Sequence, residues 1–316
     1  MKQTVNMKTK KGEITTSQLI FLILLILGFA IVLIFILSYP WNSGIDKEAC
    51  HEQIVMRSSV NFKYINLGDK LISLDKCGTE KICLSMSGKD CEDFGPSTKE
   101  DRITKISIKN ENDIKIAIAN ALYDCNSLLG AGKLNFLPNK FSGEKYCLPC
   151  ARIAFDSEAK EKLNKINYYD FYRTMYSIKD SNGMSYLEAV YPGFSSYEYS
   201  LQIFEEYRKS NPSFKLEDWN INIKQPGGFV IIGAMAKSGT IGSWIAAGAA
   251  AVGTIAILSG IGAPVGVGLL TISGAAGGAM FYYTSPDKDY NYTAPFIVPY
   301  NLKDLSDIKC TNFQWA

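Results

Sequence analysis

"KYCLPCARIAF", running from Lys145 to Phe155, can be read in two ways, and the choice between them decides the fold. A redox C-x-x-C opens a helix after a strand, in the thioredoxin manner. Here the residues on both sides of Cys147 and Cys150 are strand-like, which argues against redox work and for structural disulfides. A zinc knuckle would need a second close pair, and Cys77, Cys83 and Cys91 stand too far apart to supply one. The best helix lies upstream, from Asn112 to Leu129. Ile114, Ile118, Leu122, Cys125 and Leu129 recur at helical spacing, with Asn112 placed to cap the start and Gly130 and Gly132 to end it. Cys125 on that apolar stripe points to a bond with a strand beneath, and Lys145 to Phe155 is that strand. Helix on strand makes the region α+β.

Around this pair the chain shows further short elements. "IDKEACHEQIVMRSSV" reads as a helix, and "NFKYINL", "KICLSM" and "RITKISIK" as strands separated by polar turns. From Tyr168 to Tyr207 aromatics are dense, which suits either a binding surface or a core of aromatic helices. "WNINIK" and "GFVIIGAMA" read as a hairpin turning at Gln225-Pro226-Gly227-Gly228.

Two apolar stretches flank this region. Leu19 to Tyr39 holds about 20 apolar residues, enough to cross a hydrocarbon core of about 30 Å as a helix. Lys2, Lys8, Lys10 and Lys11 precede it, so the positive-inside rule puts the N-terminus in the cytoplasm and residue 41 onward outside. The second stretch, Gly242 to Tyr283, carries no charge between Lys237 and Asp287. It is long enough for two helices of about 19 residues, turning at "GIGAP". Gly242, Ala246, Ala250, Gly274 and Gly278 recur every four residues, a spacing that lets helix backbones approach closely in lipid. Glycine- and alanine-rich hairpins of this composition also occur in proteins that insert from a soluble state.

The cysteines support the same topology. Cys50, Cys77, Cys83, Cys91, Cys125, Cys147, Cys150 and Cys310 all follow the first span, seven before the glycine-rich stretch and one after it. A single crossing would strand one thiol, whereas an even number of crossings leaves all eight in one oxidising compartment. The expected organisation is a basic N-terminus (1–13), a transmembrane helix (14–40), a disulfide-stapled α+β ectodomain (41–236), a transmembrane helical hairpin (240–284) and an extracytoplasmic tail (285–316). Asn291-Tyr292-Thr293 is a glycosylation sequon within that tail.

Lys11-Gly12-Glu13-Ile14 ahead of a long apolar run resembles the processing site of archaeal type IV prepilins. The resemblance covers residues 10–37 and implies cleavage after Gly12, leaving Glu13 first and the apolar helix as anchor or filament core. Ser17 departs from the bacterial pattern, which carries glutamate at that position after the cut.

Catalytic patterns fail one by one. His51 is the only histidine, and its neighbour Cys50 diverges from it on a helix. The "GAGK" ending at Lys133 follows a helix instead of opening one, and "AKSGT" from Ala236 lacks the glycine before its lysine. Nothing asks for a cofactor or a metal, and a net charge of +2 excludes nucleic acid as main partner. The residues therefore point to a non-enzymatic membrane protein of the cell surface. Its partners are membrane lipid and either further copies or other surface proteins. A pilin-like filament subunit, a membrane-inserting pore and an extracytoplasmic enzyme are the alternatives.

If the processing resemblance holds, N-terminal sequencing of the mature protein starts at Glu13, and Gly12→Leu leaves the leader attached. A mature protein starting at Met1 or Lys2 would exclude cleavage.

Overall fold

The computed structural model describes residues 16–38, 44–60, 74, 77–95, 103–137, 145–191, 220–237, 256–257, 267–271, 279–284, 290–308 and 310–313. The chain divides into two compact units, Met1–Ile45 and Asp46–Ala316. In the first, Thr16–Ser38 forms a 23-residue helix (α1). Its described side chains, residues 19–31, are exposed all round, with the large apolar ones ranging from 48% at Ile23 to 68% at Phe21. Among the described residues no helix is long and apolar enough to cross a membrane.

The second unit is built on one mixed sheet. Its strands are β1 (Glu80–Ser85), β2 (Ile103–Ser107), β3 (Tyr146–Phe155), β6 (Phe229–Lys237), β7 (Ala256–Ile257), β8 (Val267–Thr271), β9 (Ala279–Thr284), β10 (Tyr290–Pro299) and β11 (Asn312–Phe313). They lie in the order β2-β1-β3-β6-β10-β9-β8-β7, with β11 on β3. A separate small ribbon pairs β4 (Lys165–Asn167) with β5 (Asn220–Asn222). The helices are α2 (Gly44–Val60), α3 (Glu111–Leu128), α4 (Ser157–Lys162), α5 (Tyr168–Ser177), α6 (Tyr186–Val190) and α7 (Leu302–Asp307).

Lys145 to Phe155 is indeed strand, and it runs through the centre of the fold. β1 lies parallel to β3 on one side and β6 antiparallel on the other. Buried on both faces, β3 reads as a near-continuous apolar run, as central strands do. Above it sits α3, whose buried Ile114, Ala117, Ile118, Ala121, Leu122 and Cys125 form one stripe. Its cap is Asn110, two residues before the position expected. The Asn110 side chain accepts from the Asn112 and Asp113 amides, and Asp113 accepts in return from the Asn110 amide, a reciprocal capping box.

All eight cysteines are paired: Cys50–Cys77, Cys83–Cys91, Cys125–Cys150 and Cys147–Cys310. Cys125 reaches down to β3 as its place on the stripe demanded. The stretch 285–316, read as a tail, supplies β10 to the middle of the sheet and β11 to the edge of β3.

Two expectations need correction. Within the expected hairpin of 219–237, the described strands Asn220–Asn222 and Phe229–Lys237 do not pair with each other. Both edges of β6 are taken by the longer partners β3 and β10, so β5 pairs with β4 instead. The left-handed Gly227 and Gly228, φ 81° and 74°, turn the chain between them. The second correction concerns 240–284. Its described residues, 256–257, 267–271 and 279–284, are strands β7, β8 and β9, not helices. β10 offers a free ladder edge on which the aromatic Phe281-Tyr282-Tyr283 run continues the sheet, whereas each glycine costs a helix about 1 kcal/mol. The packing positions Gly242, Ala246, Ala250, Gly274 and Gly278 lie outside the described residues, as do Gly12 and Glu13.

The close seat of α3 depends on Gly233 in β6. A Cβ there would overlap Leu129 Cδ1, with Cys125 Sγ 3.8 Å away. Gly233→Val should cost about 2–3 kcal/mol by overpacking. Leu129→Ala in a Gly233→Ala background should recover part of the loss. Urea unfolding of the four proteins in that cycle measures the coupling, and simple additivity would refute the contact.

Candidate functional site

The residues that join the folded unit to its apolar flanks gather around the end of α3. On α2, Cys50, Ile54 and Arg57 are buried at helical spacing, so one face of this helix packs on the sheet unit. Five of its residues hold it there. Lys47 Nζ reaches Glu80 at 2.7 Å and Asp124 at 3.0 Å. Burial lowers the pKa of this ammonium, but the two carboxylates raise it by more, and the net shift is upward. Cys50 bonds Cys77. The His51 ring lies 2.9 Å from the Leu128 carbonyl through Nδ1, supplying the donor that a C-terminal helix carbonyl lacks within the helix. The Arg57 guanidinium stands 6.0 Å over the Tyr146 ring, and Ser58 Oγ accepts from the Asn135 amide at 3.0 Å. Lys47, His51 and Ser58 thus meet Asp124, Leu128 and Asn135 in step, and α2 runs alongside the end of α3.

The same stretch supports the root of the glycine-rich segment. β6 ends and β10 begins as register partners, Lys237 opposite Tyr290. The described parts of the connection between them, β7, β8 and β9, continue the same sheet beyond β10. Tyr290 donates its hydroxyl to the Lys133 carbonyl at 3.2 Å. Tyr292 donates to Asn126 Oδ1 at 3.0 Å, and Asn126 Nδ2 donates to the Ala189 carbonyl. Between them Gly130, Ala131 and Gly132 all take positive φ, and a Cβ on Gly132 would come within 2.5 Å of the Tyr292 ring. The "GAGK" is thus a left-handed turn closing α3 beneath β10.

Charged groups elsewhere are tied into the structure. Asp156, fully buried at the end of β3, accepts from Ser85 Oγ (2.8 Å), Ser87 N (2.9 Å), Ser87 Oγ (2.7 Å) and Ala159 N (2.8 Å). Burial alone would push its carboxyl up; the donors of Ser87, Ala159 and Ser85 outweigh it and hold the group well below the usual carboxylate range. Arg152 lies between the Tyr300 ring (3.8 Å) and the Phe94 ring (5.0 Å), donating to the carbonyls of Asp93 and Gly227. Burial lowers its pKa, partly offset by Tyr300 and Asp93. Asp93 in turn pairs with Lys160 and accepts from the Gly227 amide.

Of the residues singled out from sequence, Cys50 and His51 serve the α2 contact, and Cys147 and Cys150 face different partners. The aromatic stretch contributes core: Tyr168, Phe171, Tyr172 and Tyr191 are at most 3% exposed. Tyr168, Tyr172, Tyr191 and Tyr292 all have their phenol pKa raised, chiefly by burial. Asn291 is 1% exposed, between Ala236 and Thr284 in the sheet, so this fold does not present its side chain to a glycan. Among the described residues no three His, Cys, Asp or Glu side chains are grouped to hold a metal ion. Sequence reasoning missed Asp156 and Arg152. Asp156 was discoverable as an N-cap signal, an acid after an apolar run and before "SEAKEK", whereas nothing marked Arg152. Compared with protein families, curated proteins and solved structures, the chain matches none of them.

Asp156 yields a pH-dependent outcome. Its folded pKa is depressed, so its stability contribution is present above the unfolded carboxylate value and is lost as pH falls through the folded one. Asp156→Asn should cost about 2–4 kcal/mol at pH 7, because an amide cannot accept all four bonds. The difference from wild type should narrow only well below about pH 4. Denaturant midpoints across pH 2–7 (roughly the span of carboxylate titration) test this, and a constant gap would refute it.

Proposed function

We propose that this chain is a non-enzymatic cell-surface protein. It is anchored in the membrane by its N-terminal helix, and its disulfide-stapled domain works outside the cell in assembly or adhesion. The observation that carries this reading is the pairing of all eight cysteines from Cys50 to Cys310 within one unit that follows an apolar helix exposed all round. Structural disulfides at that density belong to oxidising compartments. The lysines ahead of α1 orient the N-terminus to the cytoplasm.

In this reading the disulfide-stapled domain supplies the surface that meets neighbouring subunits. A pilin-like subunit is favoured over it only if Gly12 is the cleavage point. A pore-like protein differs in inserting residues 238–289 after a soluble state.

The anchored reading predicts that the full chain resists carbonate extraction from membranes, and that protease added outside intact cells digests residues beyond 41. Impermeant labelling of single cysteines placed at Gln3 and at Lys224 should reach only the latter. Recovery of the chain in the carbonate supernatant, or labelling of both positions, would overturn it.

A further inference from the structure

The four disulfides are not equally reachable, and the reachable one holds a distinct piece of the fold. Cys50, Cys77, Cys83, Cys91, Cys125, Cys147 and Cys150 are all at most 9% exposed, whereas Cys310 is partly exposed at the margin of its apolar cluster. Its partner Cys147 is fully buried in β3. What the bond retains is the segment described over 301–308 and 310–313, packed on the sheet face opposite α3. Beneath that segment lie Val230, Ile232, Ala234, Phe296 and Val298, which Ile308 and Leu305 help cover.

Besides the disulfide, hydrogen bonds at Lys145 and the short strand β11 hold the segment. Lys145 Nζ donates to the Ile308 carbonyl at 2.8 Å, and the Thr311 amide donates to the Lys145 carbonyl at 2.8 Å. The Lys145 amide donates to Thr311 Oγ1 at 3.3 Å, and β11 pairs with β3 over two residues. Leu302 is 91% exposed, so part of α7 contributes little to the cover.

We infer that Cys310 is a thiol-exchange site, and that reduction of Cys147–Cys310 releases the C-terminal segment to uncover an apolar sheet face. The reductant is a dithiol, either small or borne by a protein. Its thiolate attacks Cys310 Sγ, the sulfur within reach, forming a mixed disulfide while Cys147 leaves as thiolate and takes up a proton. The second thiol of the dithiol then displaces Cys310, which is released as a thiolate and protonated. The protein gains two electrons and two protons, and the dithiol becomes a disulfide. The three remaining bonds, with both sulfurs buried in each, keep α2, β1, α3 and β3 stapled while the segment swings out. The inference is independent of membrane anchoring and of the adhesion reading, since it concerns only the second unit.

The test uses the full chain in detergent micelles, titrated with dithiothreitol under native conditions. At each step free thiols are trapped with an alkylating reagent and mapped by mass spectrometry. Cys147 and Cys310 should be modified together at a dithiothreitol concentration at least tenfold below that needed for the other six. At that step, proteolysis within 301–313 should be at least tenfold faster than in the oxidised protein, and binding of an apolar dye should rise. Reduction of another pair first, or of all four together, would overturn the assignment of the site. Selective reduction with the segment still protected would overturn its release.

Discussion

The seat of α3 on β3 and β6 is the contact on which the rest of the second unit depends. Gly233 lets Leu129 lie directly on β6, and Cys125–Cys150 fixes the helix at that height over the neighbouring strand. Once the helix is placed, its last turn supplies the Leu128 carbonyl to His51, and the residues beyond it supply Asn135 to Ser58 and Lys133 to Tyr290. One helix end therefore positions both the element that follows the apolar α1 and the root of the apolar 238–289 segment. A side chain at Gly233 would lift that end and disturb both attachments together.

On the opposite face the cover is assembled from smaller parts. Phe94, beside Cys83–Cys91, and Tyr300 approach from two sides, with the Arg152 guanidinium held between their rings. Cation–aromatic contact, carbonyl acceptors and the nearby Asp93 offset part of the desolvation of this charge. The arrangement ties the turn at Gly227 to the loop at Asp93 and joins two apolar clusters that share no helix.

How much of this was legible beforehand differs from element to element, for physical reasons. The helix of α3 and the strand of β3 were readable because their burial patterns are local: one stripe at period 3.6, one short apolar run. The bond between Cys125 and that strand followed from which face the cysteine occupied. The cap at Asn110 was missed because Asn112 offered the same chemistry two residues on. The partner of β5 was missed because strand pairing is decided by competition for edges, and β6 had two longer suitors far away in sequence. For 256–284 the alternatives differ in environment more than in sequence, since an uncharged glycine-rich run can satisfy its backbone as a helix or on an available ladder edge. At the attachment site, Cys50 and His51 stood out as residue types, but their roles depended on Cys77 and Leu128, which sequence spacing does not reveal.

The pairing of β3 with β11 also bears on the order in which the chain can fold. Cys147 lies in the central strand, yet its partner is 163 residues further on. At a synthesis rate of 5–20 residues per second, roughly ten to thirty seconds separate the appearance of the two sulfurs. During that interval β3 can pair with β1 and then β6, and Cys150 can meet Cys125, but Cys147 has no native partner to oxidise with. The nascent domain thus passes through a stage with a central strand in place and one unpaired thiol upon it. Its closure is timed by the arrival of Cys310.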